Sequence, residues 1–415
     1  MSTGTKCKFP RFKMLSFAFP IVVVLTSLLI LPPLWGGSTG VPEAYYQFIM
    51  DHAPYVYVTP GVGTDSCWGR TAFAAAFAID FLHRAYSHTQ FVTRRFAIHN
   101  MIVTLADFIL SQQFVLDTTK TQYGGFRSSE TSQYFYSVDA ARIIPALIRA
   151  YDLTGRSSYL NAARLAGSRF LYAMQNPPVP SIVDKYHGGF VRGVNIAEGS
   201  SGSVELWLTQ MDIENLYALI GLKMLIDYDP ANQIKYEKMM LDAIGFLRSG
   251  FEKLYLYYDP SPTGKGKWRR VGLGENEIYD DSLAYALLGV YEFEGWSTTV
   301  QRVYNSINTI GPSPDHPSYN PSICWAGYID VISRLPACDY YDAVTAGILW
   351  KIRKNHDKAN LDLSIRIVRE HVERFMFWGV RFSDFSYVDT KQSMASICWL
   401  SLLFLEYQNP IAWFT

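Results

Sequence analysis

The feature that most constrains this chain is a recurring pair of helical stretches. An apolar stretch opened by an aspartate is followed, after a short polar break, by a more highly charged one. "DSCWGRTAFAAAFAIDFLHRAY" (residues 65–86) leads into "TRRFAIHNMIVTLADFILSQQ" (93–113), and "DAARIIPALIRAYDLTG" (139–155) into "SSYLNAARLAGSRFLYAMQ" (157–175). The unit returns at 212–251, 280–310 and 339–379. Apolar residues in these stretches recur at helical spacing, and the alternation expected of strands is scarce. Asp65, Asp139, Asp212, Asp280 with Asp281, Asp339 or Asp342, and Asp389 mark the opening of the first stretch of each unit, the first three intervals being 74, 73 and 68 residues. Repeated units that cannot bury both faces alone must pack on their neighbours. "PEAYYQFIMDH" (42–52) at the start and "TKQSMASICWLSLLFLEY" (390–407) at the end are single helices, and pairing them would complete a sixth unit and close a ring. The expected fold is therefore all-α, an (α/α)6 toroid over residues 42–415. The Ala-, Gly- and Leu-rich first helices suit the crowded inner layer, and the second helices, richer in Lys, Arg and Glu, suit the outer one.

The hairpin order, the phrase "RAYDLTGRSSYLNAARLAGSRFL", and the turns "QQ…YGGF" and "MQ…HGGF" resemble the six-hairpin glycosidase superfamily. That superfamily includes glycoside hydrolases, unsaturated glucuronyl hydrolases, sugar epimerases and some polysaccharide lyases. The resemblance implies an architecture and a carbohydrate-active site, and it leaves the reaction open because fold does not fix chemistry. A cyclase D-x-D-D is not met, since Ile278 occupies its first position in "IYDD".

The first 40 residues are a separate object. Lys6, Lys8, Arg11 and Lys13 form a basic segment (1–13) before the charge-free run "MLSFAFPIVVVLTSLLILPPLW" (14–35), which is long enough to span a bilayer. The positive flank places the N-terminus in the cytoplasm and the body outside, after a short linker at 36–41. Cleavage as a signal peptide is the alternative, and it would leave a secreted body; an A-x-A site is missing and the run is long for a signal segment. Among the five cysteines, Cys324 and Cys338 could pair outside the cell, while Cys67 and Cys398 lie in apolar helical patterns that suit buried thiols. Charges balance at 37 basic and 37 acidic, so no global field points to nucleic acid.

Function should lie where outer helices return to inner ones, because those links are long. They cover 23 residues at 116–138, 33 at 176–208, and a third stretch at 255–279. Loops of such length in a compact domain are usually functional or disordered. Gly124-Gly125 and Gly188-Gly189 would permit sharp turns that hold Phe126 and Phe190. Aromatic residues form 15% of the chain, and Tyr123, Tyr134, Tyr136, Trp207, Trp268, Trp68 and Trp325 offer flat faces to sugars, or else pack the links onto the helices. Arg127, Arg192 and the "KGKWRR" segment (265–270) suit carboxylates of an acidic glycan, or are solvated charges partnered by Glu130 or Glu275. His187 is a rim histidine that could relay protons or simply bond within its loop.

Hydrolysis of a glycosidic bond needs one protonated acid and one carboxylate acting as base or nucleophile. Asp139, Asp212, Asp280 and Asp281 stand at inner-helix N-termini, which favour the ionised form and hence the second role. Each could instead be a helix cap, except that the Asp280-Asp281 pair needs only one cap, which singles out Asp281. Glu198, Glu214 and Glu277 are the candidate acids. No motif implies a cofactor or a metal: His83 and His88 are five apart, and neither HExxH nor a Cys/His set occurs. The expected partner is an oligo- or polysaccharide. A lyase or epimerase, with Tyr136 as base and Arg127 and Arg192 as clamp, and a non-catalytic glycan-binding protein are the competing classes.

Overall fold

The computed structural model describes residues 40–59, 66–175, 188–191, 193–196, 204–207, 212–253, 258–259, 267–268, 280–309, 342–370, 372, 376 and 391–408. The inner helices are α2 (Ala72–Ser87), α4 (Ser137–Thr154), α7 (Asp212–Tyr228), α9 (Asp280–Glu294), α11 (Asp342–His356) and α13 (Met394–Gln408). Each packs on the next in that order, and α13 packs back on α2, so the layer is a closed ring. Outside it lie α3 (Arg95–Ser111), α5 (Ser157–Leu165) continued through a π-helical turn at Ala166–Leu171 into α6 (Tyr172–Gln175), then α8 (Gln233–Lys253), α10 (Thr298–Thr309) and α12 (Lys358–Glu370). The sixth outer helix is α1 (Glu43–His52), which packs on α13. Its Tyr45 contacts the Phe404 ring and donates to the Val372 carbonyl at 3.1 Å. The expected pairing of the first and last helices is therefore present.

Local chemistry explains where the helices begin and end. In α2 the Thr71 hydroxyl accepts from the Ala74 N–H at 3.0 Å, and the alanine-rich run after it allows close inner-layer packing. α4 ends on Gly155 in the left-handed conformation. Turns from inner to outer helices are short and lie at one end of the toroid, called here the base: residues 88–94, Gly155–Arg156, Pro230–Asn232 and 295–297. The long links lie at the opposite end, the mouth, where inner-helix N-termini open.

Those links are not simple loops. Strands β1 (Tyr55–Thr59), β2 (Ser66–Arg70) and β8 (Gln392–Ser393) form one antiparallel sheet, β3 (Tyr134–Tyr136), β4 (Gly193–Ile196) and β5 (Val204–Trp207) a second, and β6 (Tyr258–Asp259) with β7 (Lys267–Trp268) a hairpin. The first inner helix consequently starts at Ala72 rather than Asp65. Residues 66–70 pair with β1, Tyr55 opposite Arg70, and Gly69 takes a positive φ of 65°, which a helix would not tolerate. Only β1, "YVYVT", carries the β-branched and aromatic run of a strand, a signal that the helical reading passed over; the other ladders are two to five residues long.

Among the described residues no helix is long and apolar enough to cross a membrane. The run 14–35 and the pair Cys324 and Cys338 lie outside the described residues. Cys398 is a buried thiol, as its apolar setting suggested, whereas nothing is described of the Cys67 side chain.

Candidate functional site

The repeated Gly-Gly-Phe turns build the mouth. Gly124 and Gly188 have φ of 87° and 90°. Each lies against the backbone of the next outer helix: a Cβ at Gly124 would sit 2.8 Å from the Leu165 carbonyl, and one at Gly188 would strike the Asp242 carbonyl. The second glycine of each turn meets a ring, Phe170 for Gly125 and Phe246 for Gly189, while Phe126 and Phe190 are fully buried. A glutamine at or just beyond the end of the preceding outer helix locks the turn. Gln113 Nε2 donates to the carbonyls of Gly124 at 3.0 Å and Ala162 at 2.9 Å, and Gln175 Nε2 to those of Gly188 and Met239, both at 2.8 Å. Each glutamine thus ties its own turn to the outer helix of the next hairpin.

The second sheet joins two links into one wall. Tyr136 pairs with Gly193 and Gly193 with Trp207, while Tyr134 pairs with Asn195. The Tyr134 and Tyr136 rings, half-buried, stack at 5.9 Å. β3 runs directly into α4, whose start is tied to the second turn by a 2.5 Å hydrogen bond from the Ser137 hydroxyl to the Val191 carbonyl. Two residues further on is Asp139, in the first turn of α4.

Asp139 does not cap its helix: the N-cap position is Tyr136, and no side-chain cap hydrogen bond is made. Its residue is 5% exposed, and no ion pair to it occurs among the described residues. Burial pushes its carboxyl up to about 7. The helix-terminus argument expected an ionised Asp139, but loss of water outweighs the favourable amides at this depth. A carboxyl that keeps its proton near neutral pH is chemically a general acid, or a base matched to neutral pH.

One turn deeper is a plug that sequence reasoning did not assign. Arg142, 1% exposed, pairs with Asp80 of α2 at 3.0 Å, and Arg149 pairs with the same carboxylate. The Arg142 guanidinium lies 3.7 Å from the Phe77 ring centre, 4.6 Å from Tyr217 and 5.4 Å from Trp399. Trp399 Nε1 donates to the Tyr285 hydroxyl at 3.0 Å, and Gly347 of α11 leaves room for the Trp399 backbone and Cβ. All six inner helices meet there. Towards the base, Arg84 pairs with Glu406 at 3.4 Å and Lys351 with Glu292. Burial, with Arg149 and Arg84 nearby, pushes His83 down to about 4. The sequence signal was a charge inside an apolar inner stretch, as Asp80 and Arg84 are in "AFAAAFAIDFLHRAY".

Of the other expected site residues, Asp212 and Asp280 are the first residues of α7 and α9, with Asp281 next to Asp280, so their backbones stand at the mouth on successive inner helices. Their side chains, and that of Glu214, lie outside the described residues. Trp68, Trp207 and Trp268 are placed by backbone on β2, β5 and β7 only. Glu198, His187, Arg192, Glu277 and Trp325 also lie outside. Tyr123 is half-buried in the first link and Arg127 is exposed, its N–H donating to the Gln112 carbonyl at 3.0 Å. Glu130 faces Arg70 at 3.5 Å. No group of ligands suited to a metal ion occurs among the described residues.

No protein-family model matches the chain, and no curated protein matches it. Solved structures do. A sugar epimerase from a ruminal bacterium superposes with a TM-score of 0.55 at 12% identity, over 89% of this chain and 96% of that one. The chain has the six-hairpin toroid fold. An unsaturated glucuronyl hydrolase specific for heparin superposes on this toroid with a TM-score of 0.53 at 11% identity, over 88% and 95% of the two chains. A family 76 glycoside hydrolase from a bovine Bacteroides thetaiotaomicron strain gives 0.51 at 12%, over 88% and 76%. At these identities the likeness is one of six-hairpin architecture alone.

Proposed function

We propose that this toroid is a carbohydrate-active enzyme that hydrolyses glycosidic bonds with carboxylates at its mouth. The observation that carries the reading is Asp139, a buried carboxyl at the start of an inner helix that caps nothing and holds a proton near neutral pH. A leaving glycosidic oxygen needs such a donor. Asp139 takes the acid role, and Asp281, Asp280 or Asp212, at the N-termini of the next two inner helices round the ring, supplies the base or nucleophile. Tyr134, Tyr136 and Tyr123 provide stacking surface, joined by Trp207, Trp268 and Trp68 of the rim strands. The exposed Arg127, with Arg192, recognises a carboxylate of an acidic glycan. The shared fold of an unsaturated glucuronyl hydrolase specific for heparin and of a family 76 glycoside hydrolase supports the substrate class. The charge-free run 14–35 behind its basic flank anchors the toroid outside the cytoplasmic membrane.

The test is turnover on a panel of neutral and uronate-containing oligosaccharides by the wild type, Asp139→Asn and Asp281→Asn. New reducing ends without absorbance near about 235 nm, and their loss in both variants with glycan binding retained, are the expected results. That absorbance would identify a lyase, and full activity in Asp139→Asn would remove Asp139 from the mechanism.

A further inference from the structure

The anchor leaves the toroid beside a patch of exposed apolar side chains at the base. Val41 is bonded in both directions to Gln90, its N–H donating to Oε1 at 2.9 Å and its carbonyl accepting from Nε2 at 2.8 Å. Gln90 belongs to the turn between α2 and α3, at the end opposite the mouth. Arg94 of the same turn pairs with Glu43 at 2.9 Å and lies 4.5 Å from the Tyr46 ring centre, and Phe91 packs on Tyr46 at 5.1 Å. The start of the toroid is thus fixed to residues 90–94. From Trp35 to Gly40 the chain covers only five Cα steps, at most about 17 Å when fully extended. A bilayer holding residues 14–35 must therefore lie within that distance of the turn.

On that turn Val92 is 50% exposed and Phe96, in the first turn of α3, is 80% exposed. Arg95, between them in sequence, is also exposed, with its Nε donating to the Tyr86 carbonyl at 2.9 Å. Aromatic and aliphatic side chains beside an arginine suit the headgroup boundary of a membrane, where rings enter the acyl edge and the guanidinium meets phosphate. We infer that the base of the toroid rests on the bilayer through Val92 and Phe96, with the mouth facing away from it. The inference rests on the proposed anchor. With α2 spanning 16 residues, the inner-helix N-termini stand about 24 Å further from the turn than its near end. The site then addresses glycans beyond the membrane surface rather than sugars carried on its own lipids.

The experiment uses the full chain in vesicles of phosphatidylethanolamine and phosphatidylglycerol, with a photoreactive benzophenone amino acid at Phe96 or, as control, at Leu116. Leu116 is 87% exposed and follows α3 at the mouth end. Lipid adducts at position 96 in several-fold excess over position 116, in chains that resist alkaline carbonate extraction, are expected. Equal yields in chains that resist extraction would overturn the docked base while leaving the anchor standing. Release by carbonate would remove the anchor and the inference with it. Adducts at position 96 to a second copy of the chain would replace the bilayer with a protein interface.

Discussion

Replacing Asp139 with asparagine should flatten the dependence of stability on pH, by an amount that its burial sets. The carboxyl titrates at 3.8 in an unfolded chain and at about 7 in the toroid. Below the lower value it is protonated in both states. Between the two, the folded protein keeps a proton that the unfolded chain has lost, so stability falls as pH rises. Above about 7 both states are ionised and the loss is complete, at most about 4 kcal/mol relative to acid, with the amides of the α4 N-terminus offsetting part of it. Asparagine has nearly the same shape and no charge to lose. Its amide adds a hydrogen-bonding cost of its own, but that cost does not vary with pH. Urea unfolding followed by circular dichroism at about pH 5 and about pH 8.5 should give a wild-type stability loss that exceeds the variant's by roughly 2–3 kcal/mol. Other groups titrate in both proteins and cancel in the difference. Parallel stabilities across that window would mean that Asp139 is ionised in the fold, and its acid role would fall.

Three further substitutions probe the frame around it. Asp80→Ala leaves Arg142 and Arg149 buried without their shared carboxylate and should cost about 3–5 kcal/mol in denaturant unfolding, so a near-neutral effect would show that the plug is solvated. Gln113→Ala and Gln175→Ala each strip two carbonyls of a donor and should cost about 1–3 kcal/mol. Hydrogen exchange should quicken around Ala162 in the first variant and around Met239 in the second, and unchanged exchange at both places would deny the clamp.

The ring was legible because periodicity and spacing report burial averaged over many residues. Inner stretches rich in Ala, Gly and Leu, each followed by a more charged one, suited a crowded inner layer, and the orphan helices at 42–52 and 390–407 had only each other. The shortest rim strands were not legible, since β3 has three residues and β7 two, too few for alternation, whereas the run "YVYVT" of β1 was a strand signal that went unread. The Gly-Gly-Phe repeat was visible as a turn, but the clamping role of Gln113 and Gln175 depends on carbonyls 49 and 64 residues away. Asp139 was found by its place in the repeat, whereas its protonation depends on a depth of burial that only the folded chain displays. Asp80 and Arg142 went unassigned because a charge in an apolar stretch identifies its partner only after the helices are arranged.

The contact between α1 and α13 has a consequence for how the toroid is made. Each glutamine clamp joins hairpins that follow one another in sequence, so an arc can grow as the chain emerges. Tyr45, in contrast, waits for Val372, 327 residues later. Loop-closure entropy makes such a contact late. Until α13 arrives, the flanks of α1 and α2 that it will cover stay open to water, a long seam of apolar surface on a half-built protein that is already outside if the anchor has inserted first. If the proposed anchor is used, export of the chain should then depend on a holding chaperone for the time needed to synthesise that seam's other side.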